Sequence, residues 1–242
     1  MTTNTKKYNL IKGSSRGHAD HGWLKSSHSF SFANYYDPER VHFGALRVLN
    51  DDYVAAGEGF GKHPHDNMEI ISIPLSGELN HRDNMGNTTV IKEGEVQVMS
   101  AGTGIIHSEM NNRTDLAVEF LQIWVFPDKM NVKPRYDQKV INKELVTNRL
   151  GQIVSPNEGE DGVWIHQQAW FYLGGFDDNQ KIDYAINKSK NGIYIFLIEG
   201  KATVDGHKMD NRDALAVADA ETISIDINKN TKILVIEVPM IW

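Results

Sequence analysis

Histidines and carboxylates stand at ligand spacing in two short segments of this 242-residue chain. His63 and His65 flank a proline, and His107 and Glu109 show the same two-residue spacing further along the chain. Side chains two apart on an extended strand point to the same face, so two neighbouring strands could aim three imidazoles and one carboxylate at one point. Such a donor set suits a divalent transition metal ion, for example iron, manganese, copper, nickel or cobalt.

A further carboxylate leaves the identity of the fourth ligand open. Glu69 follows the first histidine pair and could bind the ion in place of Glu109. The position of His107 and Glu109 on one strand face favours Glu109. A single histidine in a glycine-rich loop is more often a surface or hydrogen-bonded residue than a ligand. The presence of a second pair on a second predicted strand is what favours a metal site.

Three other histidines lie near the N-terminus, in a segment rich in serine and aromatic residues: His18, His21 and His28. Their number could suggest a second metal site. The loop-like sequence around them instead favours side chains that hydrogen-bond to the backbone.

Composition excludes several classes of protein. Lys and Arg together number 25 and Asp and Glu 32, which gives a formal net charge of −7 and argues against a nucleic-acid-binding surface. The absence of cysteine excludes disulfides, cysteine-ligated zinc and thiol catalysis. The first residues contain no apolar signal region, and the apolar run 193–198 is too short to span a bilayer. We therefore expect a cytoplasmic protein with neither nucleic-acid nor membrane partners.

Short apolar runs separated by glycine and asparagine turns predict an all-β fold. Examples are residues 68–75, 88–91, 96–99 and 118–126. Such spacing is typical of a β-barrel or sandwich. A polar segment bounded by two prolines, 127–134, predicts a linker between two halves, and we expect a short helix around 138–146.

The second half resembles an eroded copy of the first. Aligning Gly200 with Gly77 sets Ile186 and Lys188 against the first histidine pair. The remaining histidines of this half lack ligand-spaced neighbours, so we expect a second barrel without a metal ion. Repeats of this kind are read from a recurring pattern of strands and turns.

The two motifs together resemble a known family. The first segment resembles the first motif of the cupin superfamily, with the usual later glycine one position late: Gly57, His63, His65, Glu69 and Gly77. The second segment resembles the second cupin motif: Gly94, Gly102, His107 and Asn111. The gap from Gly102 to His107 is longer than in the general cupin pattern, as in the pirin family. Segments 16–38 and 43–48 also look like pirin sequence in its bacterial branch.

The resemblance implies a bicupin fold, in which two antiparallel β-barrels of the jelly-roll type are packed together. We expect the metal-binding barrel over residues 1–135 and a barrel lacking metal ligands over 136–242. The resemblance places the ligands at the following residues: His63, His65, His107 and Glu109. It implies one divalent ion, with Fe²⁺ as the usual metal and Cu, Ni, Co, Mn or Zn as the other ions to consider.

The resemblance also implies an activity, since several pirins are quercetin 2,3-dioxygenases. The substrates would be a flavonol and O₂, and Glu109 would be the catalytic residue that accepts the flavonol proton. Other members act as regulators within protein complexes, so a metal-binding regulator or redox-sensing module with a protein partner is the alternative. A different metal-dependent reaction, such as an isomerisation, is a third reading. We expect a monomer.

Overall fold

The computed structural model describes residues 5–241. Within that range the chain forms twenty-two β-strands, one short α-helix and one 3-10 turn, Gly13–Ser15. The first twelve strands are β1 Lys7–Ile11, β2 Gly17–Asp20, β3 Leu24–His28, β4 Leu46–Val54, β5 Gly59–His65, β6 Glu69–Ser76, β7 Glu78–Asp83, β8 Thr88–Lys92, β9 Glu95–Ser100, β10 Ile105–Asn111, β11 Val118–Val125 and β12 Arg135–Val140. The helix α1 Lys143–Val146 precedes β13 Gly151–Ser155, β14 Val163–Trp164, β15 Trp170–Phe176, β16 Gln180–Ala185, β17 Asn191–Glu199, β18 Ala202–Val204, β19 His207–Met209, β20 Ala214–Ala218, β21 Thr222–Ile227 and β22 Thr231–Pro239.

Four sheets arrange these strands as two barrels. In the first barrel, a seven-stranded sheet in the order β12-β9-β6-β11-β4-β3-β2 accompanies a four-stranded sheet in the order β5-β10-β7-β8. In the second, the corresponding orders are β1-β20-β17-β22-β15-β13-β14 and β16-β21-β18-β19. Within residues 5–241 the paired strands of these sheets are antiparallel, apart from the short pair of β13 and β14. The predicted all-β architecture of two antiparallel β-barrels is confirmed.

The two barrels exchange edge strands. β1 comes from the N-terminal end of the chain but pairs with β20 of the second barrel. β12 pairs with β9 and so extends the large sheet of the first barrel. A domain boundary between residues 135 and 136 stays a prediction, and the hydrogen bonding of β12 attaches the segment after that point to the first barrel.

The helix expected around 138–146 is wrong in its first part. Residues Arg135–Val140 are strand β12, and the amide of Gln138 donates hydrogen bonds to the carbonyl oxygen of Val90 and to Glu95. Tertiary pairing thus overrides the local preference of this polar segment. The helix begins only at Lys143, after a cap from the side chain of Asn142. No helix within residues 5–241 is long and apolar enough to cross a membrane.

The central strand β6 separates two environments because its side chains alternate between faces. Ile71 and Ile73 belong to the largest apolar cluster, which joins both halves of the chain. Ser72, on the opposite face, donates a hydrogen bond to Glu109 inside the first barrel. Packing between the barrels therefore holds β6 in place, and the opposite face of β6 supplies side chains to the interior of the first barrel.

Candidate metal centre

Strands β5 and β10 bring the two histidine pairs together. His63 lies directly opposite His107 in the antiparallel register. Burial alternates along β10, with His107 and Glu109 buried and Ser108 between them partly exposed. His65 lies two residues after His63 on the same strand. Three imidazoles therefore enter one end of the barrel from two hydrogen-bonded strands.

A glycine lets these strands approach each other closely. A Cβ atom at Gly59 would lie 2.4 Å from the carbonyl oxygen of Glu109 and 2.5 Å from the Cα atom of Met110. At this place the register also shifts, so that Glu109 pairs with Phe60. A larger residue at Gly59 would push β5 away from β10 and separate the histidines that the two strands carry.

The three rings converge closely enough to share one ion. The ring centroids lie 4.9 Å apart for His63 and His65, 4.3 Å for His63 and His107, and 4.9 Å for His65 and His107. One ring nitrogen from each lies within 4.8 Å of the others. The Nε2 atoms of His65 and His107 are buried and have no hydrogen-bond partner within residues 5–241. Leaving buried polar atoms unsatisfied is costly, so this arrangement fits a bound cation.

Protonation and tautomer also suit metal binding. Burial, with the charges of neighbouring histidines as a smaller cause, lowers the pKa of His65 to about 4 and that of His107 to about 2. Both rings are therefore neutral at neutral pH, as metal ligands must be. The Nδ1 atom of His63 lies 2.8 Å from the carbonyl oxygen of Gly61. Donation of that N–H to the carbonyl leaves the lone pair of His63 on Nε2.

Glu109 lies beside this trio on the side of His107. One of its carboxylate oxygens lies within 4.8 Å of ring nitrogens of His107 and His81. Ser72 Oγ donates to Oε1 at 3.1 Å, and Gln122 Nε2 donates to Oε2 at 2.9 Å. Burial raises the pKa of Glu109 to about 7 despite these donors. The carboxyl group is thus poised between its two protonation states near neutral pH.

A cavity opens next to the histidines. Its apolar wall comes from four side chains: Leu24, Phe32, Phe60 and Trp124. Its polar lining includes the following residues: His28, Asn50, Asp52, His63, Glu109 and Gln122. The free space is about 110 Å³. Three buried atoms among these walls lack a partner within residues 5–241, namely His28 Nδ1, Asn50 Oδ1 and Trp124 Nε1.

Comparison with known proteins places this arrangement in a family. The Pirin family model matches residues 11–125, and the model described as the quercetinase C-terminal cupin domain matches residues 152–238. A curated relative, quercetin 2,3-dioxygenase of Escherichia coli (strain K12), is 40% identical over 234 residues, which cover 95% of this chain and 98% of that protein. The chain belongs to the pirin family. A pirin-like protein of Caulobacter vibrioides is 36% identical over 225 residues, covering 91% of this pirin and 95% of the relative.

A solved structure extends the comparison to the fold. The bacterial pirin YhhW of Escherichia coli, solved in complex with nickel(II), matches this pirin with a TM-score of 0.91 and 38% sequence identity. The match covers 96% of this chain and 99% of the other. The relative's nickel complex and the histidine and glutamate cluster described above agree that the first barrel of this pirin could bind a metal ion.

Glu69, the alternative fourth ligand, lies on the other face of its strand. It shares the alternation of Ile71, which faces the second barrel rather than the histidines. Ser100 Oγ donates to the Glu69 carboxylate at 2.7 Å. Arg135 contacts the same serine and donates to the carbonyl oxygen of Trp164 at 2.6 Å. Glu69 therefore helps to join the barrels, and burial raises its pKa to about 7.

Sequence reasoning missed His81, which lies in the buried group with His107 and Glu109. Its strand, β7, pairs with the other side of β10 and sets His81 opposite Glu109. The signal was present in the sequence, because His81 and Asp83 have the same two-residue spacing as the other pairs. Nothing in that spacing alone shows that β7 is a neighbour of β10.

The N-terminal histidines have separate positions. His21 and His28 line the cavity, whereas the Nδ1 atom of His18 lies 3.1 Å from Ser27 Oγ. The segment that carries them folds into β2 and β3 at the edge of the large sheet. It supplies part of the cavity wall.

Proposed function

We propose that this pirin is a metal-dependent dioxygenase that opens the central ring of flavonols such as quercetin, a quercetin 2,3-dioxygenase. The observation that carries the proposal is the convergence of three imidazoles, one buried and two half-buried, at a cavity with aromatic walls and a carboxyl group. The names of the relatives support the reaction type. A flat, apolar substrate suits aromatic walls, because ring contacts bury large apolar areas.

The proposed ligands are His63, His65, His107 and Glu109, and the proposed ion is Fe²⁺, with Cu, Ni, Co, Mn and Zn as the other ions to test. Mixed imidazole and carboxylate donors suit these metals. When bound, the ion would lower the pKa of a substrate hydroxyl group and stabilise the resulting anion. The usual order of affinities among divalent first-row metal ions favours copper. The ion found after purification therefore need not be the ion that supports activity.

Glu109 is proposed as the catalytic base. Gln122 Nε2 donates to Oε2 of its carboxylate at 2.9 Å, and Ser72 Oγ lies 3.1 Å from Oε1 and 2.7 Å from the amide oxygen of Gln122. This carboxylate would accept the flavonol hydroxyl proton and release it again later in the reaction. The flavonol anion is electron-rich, and reaction with O₂ would place both oxygen atoms in the ring-opened product.

The cavity supports binding of one end of the substrate. A free space of about 110 Å³ is smaller than the range of about 300–1,000 Å³ usual for drug-sized ligands. One ring would therefore lie inside, between Phe32, Phe60 and Trp124, and the rest of the molecule would extend through the open mouth. The unpartnered Asn50 Oδ1 and Trp124 Nε1 atoms suit a substrate that carries hydroxyl groups.

The test is flavonol turnover by protein loaded separately with Fe, Cu, Ni, Co, Mn and Zn. We expect loss of quercetin absorbance, stoichiometric O₂ uptake and, with ¹⁸O₂, a product that carries both labelled atoms. Protein with His207→Ala serves as the control, because His207 lies in the second barrel and stacks on Tyr8. Inactivity with every metal would overturn the proposal and leave the metal-binding regulator as the function to pursue.

A further inference from the structure

We propose that His81 and Asp83 form a positioning relay that fixes the tautomer and orientation of His107, so that its Nε2 lone pair faces the metal ion. The proposal rests on the ligand set given under the proposed function. Neither His81 nor Asp83 is itself a proposed ligand. Their role would be to act on the ion through His107, the most deeply buried imidazole of the trio.

The three side chains form one continuous chain of contacts. The Nδ1 atom of His107 lies 3.5 Å from the Nδ1 atom of His81. The Nε2 atom of His81 lies 3.0 Å from Asp83 Oδ2. The side chains of His81 and Asp83 are fully buried, with 0% exposure for each. Strand register explains the arrangement, because His107 pairs directly with Asp83 across β7 and β10.

Asp83 sets the direction of hydrogen bonding from His107 through His81, because the groups that contact its carboxylate are hydrogen-bond donors. The backbone N–H groups of Met85 and Asn87 donate to Oδ1 at 2.9 and 3.0 Å. The amide of Asn87 donates to Oδ2 at 2.7 Å, on the same oxygen that His81 Nε2 approaches. A carboxylate that accepts all these bonds is held as the anion, so the proton between it and His81 belongs to Nε2 of His81.

The remaining protons follow from that assignment. A neutral imidazole with its proton on Nε2 has its lone pair on Nδ1. The Nδ1 atom of His81 therefore accepts, and the Nδ1 atom of His107 must donate. The lone pair of His107 is then on Nε2, the buried atom that has no partner within the described residues. A proton on both nitrogens of His81 would force the opposite tautomer and put an N–H group where the three rings converge.

A second metal ion is the competing occupant of this place. Ring nitrogens of His81 and His107 and an oxygen of Glu109 lie within 4.8 Å of one another. If ions occupied both places, His107 would need a lone pair on each ring nitrogen. A neutral imidazole carries one donor and one acceptor nitrogen, so a shared His107 would have to lose its last proton. The relay requires only the neutral ring and one ion per chain.

The relay predicts a loss of metal affinity when its acceptor is removed. Loss of such a partner to a metal-binding histidine costs about 10–100-fold in metal affinity. We expect a loss of this size for His81→Leu. The amide oxygen of asparagine is bonded to Cγ, as Nδ1 of histidine is, so His81→Asn keeps an acceptor for His107 and should recover most of the affinity. Val204→Ala, on the strand β18 that corresponds to β7 in the second barrel, is the matched control.

The decisive experiment reads the protons in the unaltered protein. Long-range ¹H–¹⁵N correlation spectra of the zinc-loaded chain should show His107 protonated on Nδ1 and His81 protonated on Nε2. Zinc titration should give one ion per chain, and its dissociation constant should rise for His81→Leu but not for Val204→Ala. A His81 ring protonated on Nδ1 would overturn the relay, and so would wild-type affinity in His81→Leu.

Two zinc ions per wild-type chain, falling to one in His81→Leu, would instead identify His81 as a ligand and also overturn the relay. None of these readouts depends on turnover. Failure of the proposed function would appear as metallated protein with the expected tautomers but without flavonol oxidation. Failure of the relay would appear in the spectra and the titrations whether or not the protein is active.

Discussion

The two barrels share one strand plan but fill it with opposite chemistry. Strands β4–β11 and β15–β22 follow each other in the same sheet orders. The central pairs even carry a register shift at the same place, between Glu119 and Phe120 in one barrel and between Leu197 and Glu199 in the other. Differences between the interiors therefore reflect side chains rather than backbone topology.

Strand pairing identifies the equivalent positions. Taking Ala202 with Leu79, each two residues after the turn glycine, gives the following pairs: His81 and Val204, Glu109 and Ile225, His107 and Ile223, His63 and Tyr184, Ser72 and Ile195, and Gln122 and Val235. The members from the second barrel belong to a single apolar cluster. An ordinary hydrophobic core thus occupies the place where the first barrel holds its polar groups.

This comparison corrects the alignment of the repeat. Alignment on Gly77 and Gly200 set Ile186 against His63, but strand pairing sets Tyr184 there, opposite Ile223. The connection after β16 spans residues 186–190, whereas the connection after β5 spans only 66–68. The connection in the second barrel is two residues longer, so the alignment of the strand that precedes it is displaced by two positions.

The two barrels also differ in the residue at the position of Trp124. In the first barrel the Trp124 ring lies 4.9 Å from the His65 ring and lines the cavity. Its equivalent in the second barrel is Glu237, fully buried, which accepts hydrogen bonds from Tyr184 at 2.6 Å, Asn187 at 2.8 Å and Asn191 at 2.8 Å. The second barrel satisfies its buried charge internally, whereas the first leaves imidazole nitrogens unsatisfied. The unpartnered imidazole nitrogens are therefore consistent with the proposed metal ion.

Removing a histidine from the first barrel should have the largest effect on the difference between the two barrels. His107→Ala, and likewise His63→Ala or His65→Ala, should abolish tight metal binding, because each change leaves at most three donors and opens the site. Metal content after dialysis, measured by mass spectrometry, checks this. His166→Ala and His207→Ala should retain the metal, and loss of the ion from His166→Ala would contradict the division of roles between the barrels.

Changing only the charge at the carboxylate should separate binding from catalysis. Glu109→Gln keeps the shape of the side chain but removes the proposed base. We expect flavonol oxidation to fall by about 100-fold or more, with the ion still bound less tightly by three imidazoles. Steady-state rates at matched metal occupancy provide the measurement. Equal activity in fully metallated Glu109→Gln would refute the role of Glu109, and Glu69→Gln would then be the next variant to examine.

A glutamate in the second barrel, at the position equivalent to Glu109, should destabilise the protein. Ile225→Glu would bury a carboxyl group among Ile195 and Val235, which offer no hydrogen bond, at a cost of about 3 kcal/mol in the free energy of unfolding. Urea denaturation of the metal-free protein measures this. The matched exchange Asp226→Asn, at an exposed neighbour, should change stability little, and an equally stable Ile225→Glu would show that the second interior tolerates charge.

The cavity wall should give a smaller, pH-dependent effect. Burial raises the pKa of Asp52 from 3.8 to about 7, although Ser26 donates a hydrogen bond to it. A carboxyl group whose pKa is raised on folding stabilises the protein while protonated, so this stability is lost as pH rises from about 4 to about 7. The slope is at most about 1.4 kcal/mol per pH unit.

Asp52→Asn should remove that part of the pH dependence. The difference in unfolding free energy between metal-free wild type and Asp52→Asn, measured at several pH values, should grow up to about pH 7 and then level off. Glu119→Gln, on a partly exposed residue outside the cavity, is the control. A pH-independent difference would show that folding leaves the pKa of Asp52 unchanged.

The sequence predicted the two-barrel fold and the approach of His63, His65 and His107 to one another, because both depend on local periodicity. Two-residue spacing was enough to expect His107 and Glu109 on one strand face, and β10 does bury both side chains. It could not reveal His81, because the pairing of β7 with β10 depends on tertiary contacts. The cavity wall could not be predicted either, since His28 and Asn50 lie on β3 and β4, whose pairing in the large sheet depends on tertiary contacts. For Glu69, the sequence could not show which face of β6 packs against the second barrel.

On the proposal above, the first barrel, and not the second, binds a metal ion through His63, His65 and His107. Anomalous diffraction from crystals of metal-loaded protein, collected on both sides of the metal absorption edge, tests it most directly. We expect one anomalous peak per chain. For zinc, the imidazole nitrogens should lie about 2.0–2.1 Å from the ion, with Glu109 as the nearest carboxylate. A peak at Glu69, a peak within the second barrel, or no peak near the three histidines would contradict it.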